Sequence, residues 1–299
     1  MFEQSRLMFL YCVTPVHMGA GQAIGVIDNP IQRERHTNHP SMAGSGIKGA
    51  LRHHAAASWK DKGLVRRLFG PESNASDYAG AVGFGDGQLL AFPVRSLKQA
   101  FIYAVSPTTL ARLKRLAQLT GLNTGWEVPA IQDDQAVVCG ERILNGDRLV
   151  LEAFEYQASV SDDLKAIASW IAANALPGDE AHRYFRDKIA EDLVLLPDNA
   201  LSHFVENASV VEAHVRIKDE TGTAAEGGLF YTENLPPETL LIAPVFSSLD
   251  RSKGDGTMTA DKVMRELVSS IQDQLVQFGG DATTGRGQVV LNIAGEGRP

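Results

Sequence analysis

The chain has 299 residues, 44% of them hydrophobic and 21% charged, with two cysteines and a formal net charge of -8. That composition excludes a collagen-like, disordered or disulfide-stapled chain, and leaves a soluble globular protein of one large or two small domains. The longest apolar runs, Leu7–Val13 and Leu240–Val245, are strand-length and far short of a membrane span. No basic region followed by a long apolar stretch opens the sequence, so no signal peptide is expected. Cys12 and Cys139, each within apolar, strand-like sequence, read as buried free thiols in a reducing cytoplasm. The charge is unevenly spread: residues 1–69 hold nine Lys/Arg against four Asp/Glu, and the remaining 230 hold 19 against 32. One basic face on an acidic body suits a polyanionic partner.

Leu7–Val13 reads as a central strand that ends at Thr-Pro. Gly19 to Met42 is Gly-rich, Pro-broken and without helical period, a loop long enough to be functional. Ser45 is read as the N-cap of a helix running to about Trp59. Strands are expected over Gly83–Pro93 and Phe101–Val105, and helices over Thr108–Leu119, Asp162–Ala173 and His182–Ala190. Ala208–Lys218 alternates, meets D-E-T-G-T-A-A-E-G-G, and returns as L-F-Y-T-E, a β-hairpin. Thr239–Phe246 follows as a strand, Asp261–Gln277 as an amphipathic helix on Val263, Leu267, Ile271 and Leu275, and Gln288–Ile293 as a last strand. The two ends mirror each other as β-α-β and β-α-β. The fold expected is therefore α+β, with a ferredoxin-like (RRM-like) core, a helical insertion and a projecting hairpin. Residues 1–106 form its first half with a working loop at 15–44, 107–200 a mainly helical insertion, 201–238 the hairpin, and 239–299 the second half with a Gly-rich loop.

Three constellations could carry chemistry. Phe278-Gly-Gly-Asp-Ala-Thr-Thr-Gly-Arg-Gly287 has glycines that allow close backbone approach and an Arg286 fork suited to phosphate, and it is not a Walker A loop. Its plain alternative is a tight turn with a solvated Arg. Gly44-Ser-Gly-Ile-Lys-Gly-Ala-Leu-Arg52 sets Lys48 and Arg52 four apart beside a helix N-terminus, an anion-binding arrangement or an ordinary helix start with two exposed cations. Asp28 is the one acid between Glu3 and Glu34, with His17, Arg33, Arg35 and His36 within a dozen positions. Asp before Asn-Pro is a turn former, yet a carboxylate, imidazoles and guanidinium groups could also converge on one phosphodiester. There Asp28 would act as general base or hold one loosely bound metal. His36-x-x-His39 and His53-His54 lack further ligands at zinc spacing, and Asn74-Ala-Ser76 and Asn207-Ala-Ser209 match the glycosylation pattern only formally.

Four of these segments together, T-P-V-H-M-G-A-G, I-D-N-P-I-Q-R-E-R-H-T, G-S-G-I-K-G-A-L-R and G-G-D-A-T-T-G-R-G, resemble the RAMP superfamily of CRISPR systems. With V-E-N-A-S-V-V-E-A-H-V-R-I-K and G-G-L-F-Y-T-E-N-L-P-P-E-T-L they are similar, more narrowly, to the repeated backbone subunit of type III-B (Cmr) complexes. The resemblance implies a cytoplasmic ribonucleoprotein subunit that stacks with further copies of itself and other Cmr subunits along a CRISPR guide RNA. It implies that Asp28 is needed for cutting bound single-stranded target RNA at regular intervals with weakly bound Mg²⁺ or Mn²⁺, and that His17 lies near the RNA. Ser45, Gly46, Lys48 and Arg52 would hold the guide, and Gly279, Gly280, Thr284, Gly285, Arg286 and Gly287 would complete its groove. Arg33 and Arg35 would meet RNA or a neighbouring subunit, and the hairpin at about 210–232 would be a thumb that interrupts the guide–target duplex. Two alternatives stay open: a guide-RNA scaffold that does not cut, and a metal-independent guide-processing nuclease using His17 as base.

Overall fold

The computed structural model describes residues 2–21, 25–72, 77–252 and 256–295, so the Asn74-Ala-Ser76 pattern and residues 22–24 of the first long loop lie outside it. Strand β1, Gln4–Cys12, is buried from Leu7 onward because both faces of the sheet are covered. Met8, Leu10 and Cys12 point to one core and Leu7, Phe9 and Tyr11 to the other, as strand alternation requires. β2 (Ser41–Met42) precedes helix α1 (Gly44–Ser58), which buries Ile47, Leu51 and Ala55 one turn apart. α2 (Lys62–Phe69) starts where Asp61 accepts the Leu64 N–H (3.0 Å) and ends on Gly70 at φ 100°.

The expected strand 83–93 is two: β3 (Val82–Phe84) and β4 (Gly87–Arg95). They part at Gly85 and Asp86. Gly85 lies so close to Pro244 that a Cβ there would sit 2.6 Å from its ring, and Asp86 turns away to meet α1. β5 (Phe101–Val105) leads into α3 (Pro107–Leu119), which opens with a Ser106–Thr109 capping box and Pro107.

The stretch 107–200 is mixed, with strands set among its helices, of which α3 is the first. It carries β6 (Gln135–Val138), β7 (Arg148–Leu151), β8 (Phe154–Val160), α4 (Asp162–Ala175), α5 (Arg183–Asp192) and β9 (Leu193–Leu195), and ends in the first residues of α6 (Asp198–Asn207). Several of these strands are only three or four residues long, too short to leave a periodic signal. They nonetheless extend the main sheet.

The hairpin is β10 (Val210–Ile217) and β11 (Ala224–Asn234), paired from Val210↔Asn234 outward as a separate two-stranded ribbon. β12 (Leu240–Ser247) and α7 (Ala260–Ile271) follow, then β13 (Leu275–Gln277) and β14 (Gln288–Ala294). The expected helix through Gln277 thus ends at Ile271. Asp273 adopts φ 59°, its N–H bonds to Leu291 O, and Leu275 lies half-exposed in β13. A register of four that continues past a helix end is not evidence of helix.

The large sheet runs β13-β14-β1-β12-β4-β5-β9-β6-β8-β7. β1 is antiparallel to both neighbours, with Leu10 opposite Leu241 and Leu291. α1, α2 and α7 pack on one face of its first half and α3, α4 and α5 on the other, while α6 covers β4, β5 and β9. The molecule is a mixed α+β structure in which β1 delivers the first long loop to one sheet end, where β14 begins.

Candidate nucleic-acid interface

Where β1 leaves the sheet, its backbone runs along the chain that enters β14. Val13 N–H donates to Gln288 O (2.8 Å), Gln288 N–H to Thr14 Oγ1 (3.0 Å) and Gly287 N–H to Pro15 O (2.8 Å). Gly280 N–H donates to His17 O (3.0 Å). Gly279 makes this closeness possible: it adopts φ +72°, and a Cβ there would lie 2.2 Å from His17 O. The helix start joins from the third side, since a Cβ on Gly46 would sit 3.2 Å from Met18 Cε. The Met18 sulfur in turn lies 3.2 Å from where a Gly279 Cβ would be. Buried Met18 is thus the common wall of residues 14–20, 43–46 and 279–287.

At the helix start the N-cap is Ala43, not Ser45, and no side chain from the N-cap bonds to the helix. The capping oxygen comes from Asp86, whose Oδ1 accepts the Gly44 N–H (2.7 Å). This is why Asp86 breaks the strand. Ser45 stays exposed, and its N–H and that of Gly46 have no acceptor among the described residues. Two free donors at the positive end of a helix attract an anion.

Among the cations the structure separates roles that sequence alone merged. Lys48 donates to Val82 O (3.1 Å). Burial, with the Arg52 cation beside it, pulls its pKa below the ordinary lysine value. Arg52 is half-buried, with one guanidinium nitrogen buried and unpartnered among the described residues. Arg286 is committed: its Nη2 meets both Glu212 carboxylate oxygens at 2.6 and 2.7 Å, joining the Gly-rich loop to the hairpin. Arg33 lies inside, donating to Glu233 Oε1 (2.5 Å), Val205 O (3.0 Å), Ser209 Oγ (3.1 Å) and Asn38 O (2.8 Å). With both terminal nitrogens so used Arg33 has an internal structural role, where the expectation was contact with RNA or a neighbouring subunit. Arg35 is exposed at the tip of the loop, and His36 sits against Arg112, whose fork holds Glu34. In the terminal loop Gly280 and Gly285 are exposed, and the Thr284 hydroxyl donates to Asp281 O (2.8 Å).

Asp28 is exposed beside the base of the hairpin. Its Oδ2 accepts the Tyr231 N–H (2.8 Å), Asn29 N–H donates to Tyr231 O (3.0 Å), and Glu233 N–H donates to Asn29 O (2.9 Å). The loop is thereby zipped to β11, with Oδ1 of Asp28 unpartnered among the described residues. His17 is held from the same strand, its Nδ1 donating to Glu233 O at 2.7 Å. A carbonyl can only accept, so Nδ1 carries the proton of the neutral ring and Nε2 is the free base. Tyr231, Glu233, Glu212 and Asp86 were not singled out from sequence. Their positions depend on pairing across the chain, although Tyr231 and Glu233 lie in the Y-T-E-N-L-P-P-E-T stretch that carried part of the resemblance. Among the described residues no group of three or more His, Cys, Asp or Glu side chains is placed to hold a metal.

Several comparisons bear on this arrangement. A relative 35% identical over 97% of this chain and 96% of its own is the "CRISPR system Cmr endoribonuclease Cmr4" of Pyrococcus furiosus. The crystal structure of oligomeric Cmr4 from Pyrococcus furiosus superposes with a TM-score of 0.75 at 28% identity, covering 97% of both chains. The fold also matches a chain in the cryo-EM structure of the type III-B Cmr-beta complex bound to cognate target RNA (TM-score 0.75, 18% identity, 98% of both chains). The family model described as the RAMP superfamily matches residues 9–290, a span that takes in β1, the Asp28 loop, the hairpin and the Gly-rich loop. The chain belongs to the RAMP superfamily.

Proposed function

We propose that this protein is the guide-RNA-binding backbone subunit of a cytoplasmic type III-B CRISPR complex, and that it cuts guide-paired target RNA as a metal-dependent endoribonuclease. The observation that carries the reading is the meeting of three glycine-bearing segments on Met18, with Asp28 exposed beside them at the root of the hairpin. Free backbone donors grip a ribose-phosphate strand without reading its bases, so base pairing supplies the specificity. The core is ferredoxin-like in this reading. The order β14-β1-β12-β4, antiparallel throughout, with α1 and α7 on one face, supports that plan. Its partners are guide RNA, target single-stranded RNA, further copies of itself and other Cmr subunits, and the relative's name and oligomeric structure support them.

Cleavage of RNA by transesterification needs a 2′-oxygen in line with the adjacent phosphorus. As that oxygen attacks, the P–O5′ bond breaks, leaving a 2′,3′-cyclic phosphate and a 5′-hydroxyl, and one proton moves from the 2′-oxygen to the leaving oxygen. A hairpin that displaces a base opens this geometry, which stacked A-form RNA forbids. Asp28, with Oδ1 open, is the group placed to act at the 2′-hydroxyl or to hold a cation, and His17 Nε2 is the second base at hand. Asp28 would hold a Mg²⁺ or Mn²⁺ ion by its carboxylate, since among the described residues no cluster of protein ligands could enclose one. Such an ion would neutralise charge developing on the phosphate.

Asp28→Asn tests the reading cleanly, because the amide oxygen can still accept the Tyr231 N–H. In the assembled complex with Mg²⁺, regularly spaced cuts are expected from the unaltered protein. Both Asp28→Asn and EDTA should lower the rate at least about a hundredfold, roughly 3 kcal/mol of barrier, while target binding persists. An unaltered complex that leaves bound target intact refutes the catalytic reading and supports a scaffold. EDTA-resistant cuts abolished by His17→Ala would instead mark a metal-independent nuclease.

A further inference from the structure

Residues 231–233 of β11 hold both candidate groups of the cleavage centre, and Glu233 does most of the holding. Its N–H donates to Asn29 O (2.9 Å), and its carbonyl accepts His17 Nδ1–H (2.7 Å). Its carboxylate, 3% exposed as a residue, accepts the Ile31 N–H on Oε2 (3.0 Å) and the Arg33 guanidinium on Oε1 (2.5 Å). The same Arg33 Nη2 also faces Val205 O and Ser209 Oγ around the end of α6, and Nη1 reaches Asn38 O within the loop. Segment 28–33 is thus fixed at its start by Tyr231 and Glu233 backbone and at its end by the Glu233 side chain.

We propose that Glu233 is a positioning residue for RNA cleavage, one that sets the aim of the Asp28 loop through Ile31 and Arg33 and the tautomer of His17 through its own carbonyl. This rests on reading Asp28 as the cleavage carboxylate. Stability does not call for a buried carboxylate here, since a buried ion pair is matched by apolar residues of similar size. What the charge adds is geometry. An N–H and a guanidinium two residues apart converge on one carboxylate, which leaves the loop a single path. Because Glu233 belongs to the hairpin strand, docking of the hairpin and alignment of the cleavage groups become one event.

The test uses guide-loaded, assembled complex and single-turnover cleavage at varied target concentration. Glu233→Gln keeps size and an acceptor but removes the charge facing Arg33. It should lower the cleavage rate about ten- to a hundredfold, the cost of misplacing a reacting group by about 1 Å, with half-saturation by target unchanged. Arg33→Lys should give the same loss, and the double variant no more than either single, because all three break one clamp. A wild-type rate in Glu233→Gln complex, or weaker target binding at an unchanged rate, overturns the proposal. Should Glu233→Gln prevent assembly, Arg33→Lys decides alone: a reduced rate with unchanged half-saturation supports the proposal, and a wild-type rate refutes it. An Asp28→Asn complex that still cuts would instead sink the underlying reading, whatever Glu233 does.

Discussion

Asp28 and Glu238 show how differently two carboxylates can be treated within one site region. Asp28 is exposed and pinned by the Tyr231 N–H, with its other oxygen unpartnered among the described residues. Glu238, two residues before β12, adopts φ 70°, donates its N–H to Cys12 O (2.7 Å) and buries Oε2 with no partner among the described residues. Burial pushes its pKa from 4.5 up to about 7. The protonated form is therefore favoured in the folded chain, and the stability this confers is full below about pH 4.5 and lost as pH rises through about 7. Glu238→Gln should melt like the unaltered protein at pH 4 and be more stable at pH 8, by about 1 kcal/mol once solvent screening of the partly exposed carboxylate is counted. Equal melting curves at pH 8 would show that the carboxylate finds a partner in solution. Asp28 stood out in the sequence because it is alone among acids in a Gly-rich loop. Glu233 was not, because its role arises from residues some 200 positions away, and Arg33 looked like a surface cation for the same reason.

Elements with strong local signals stand where they were expected. α3 has Ser106, Pro107 and a capping box, β5 matches residue for residue, and the hairpin is bracketed by alternation and glycine. Those without them were misread. β6, β7 and β9 are too short for periodicity, and α1 takes its cap from Asp86 across the fold rather than from Ser45. The hairpin itself is a two-stranded ribbon, which is marginal in water on its own. The Arg286–Glu212 ion pair anchors its base to the Gly-rich loop. That pair also competes with any phosphate for Arg286. Glu212→Gln should release the cation, tighten guide binding and steepen the salt dependence of log K by about 0.7, the increment for one more phosphate contact on a single strand. Filter binding of guide RNA across a salt series measures it, and an unchanged slope would mean that Arg286 does not reach the RNA.

In the whole molecule, the large sheet places the two loops. β1 lies between β12 and β14 and is covered on both faces, so the loop after it and the loop before β14 leave from a rigid edge, side by side. That the two ends of the chain form one core could be read from their mirrored order. That residues 107–200 extend the same sheet could not, because the joining strands are short. The excess of basic residues in the first 69 positions belongs to the same region, with Lys48 and Arg52 on α1 free of acidic partners among the described residues. The central claim is that the start of α1 and the Gly-rich loop flank one RNA strand while the Asp28 loop faces its complement. Site-specific photo-crosslinking in the assembled, target-bound complex tests it most directly, with the probe placed in turn at exposed Ser45, Thr284 and Val26. The account predicts that probes at 45 and 284 label the guide within the same repeat and that the probe at 26 labels target next to a cut. Guide labelling from only one of the first two positions, or no target labelling from 26, would contradict it.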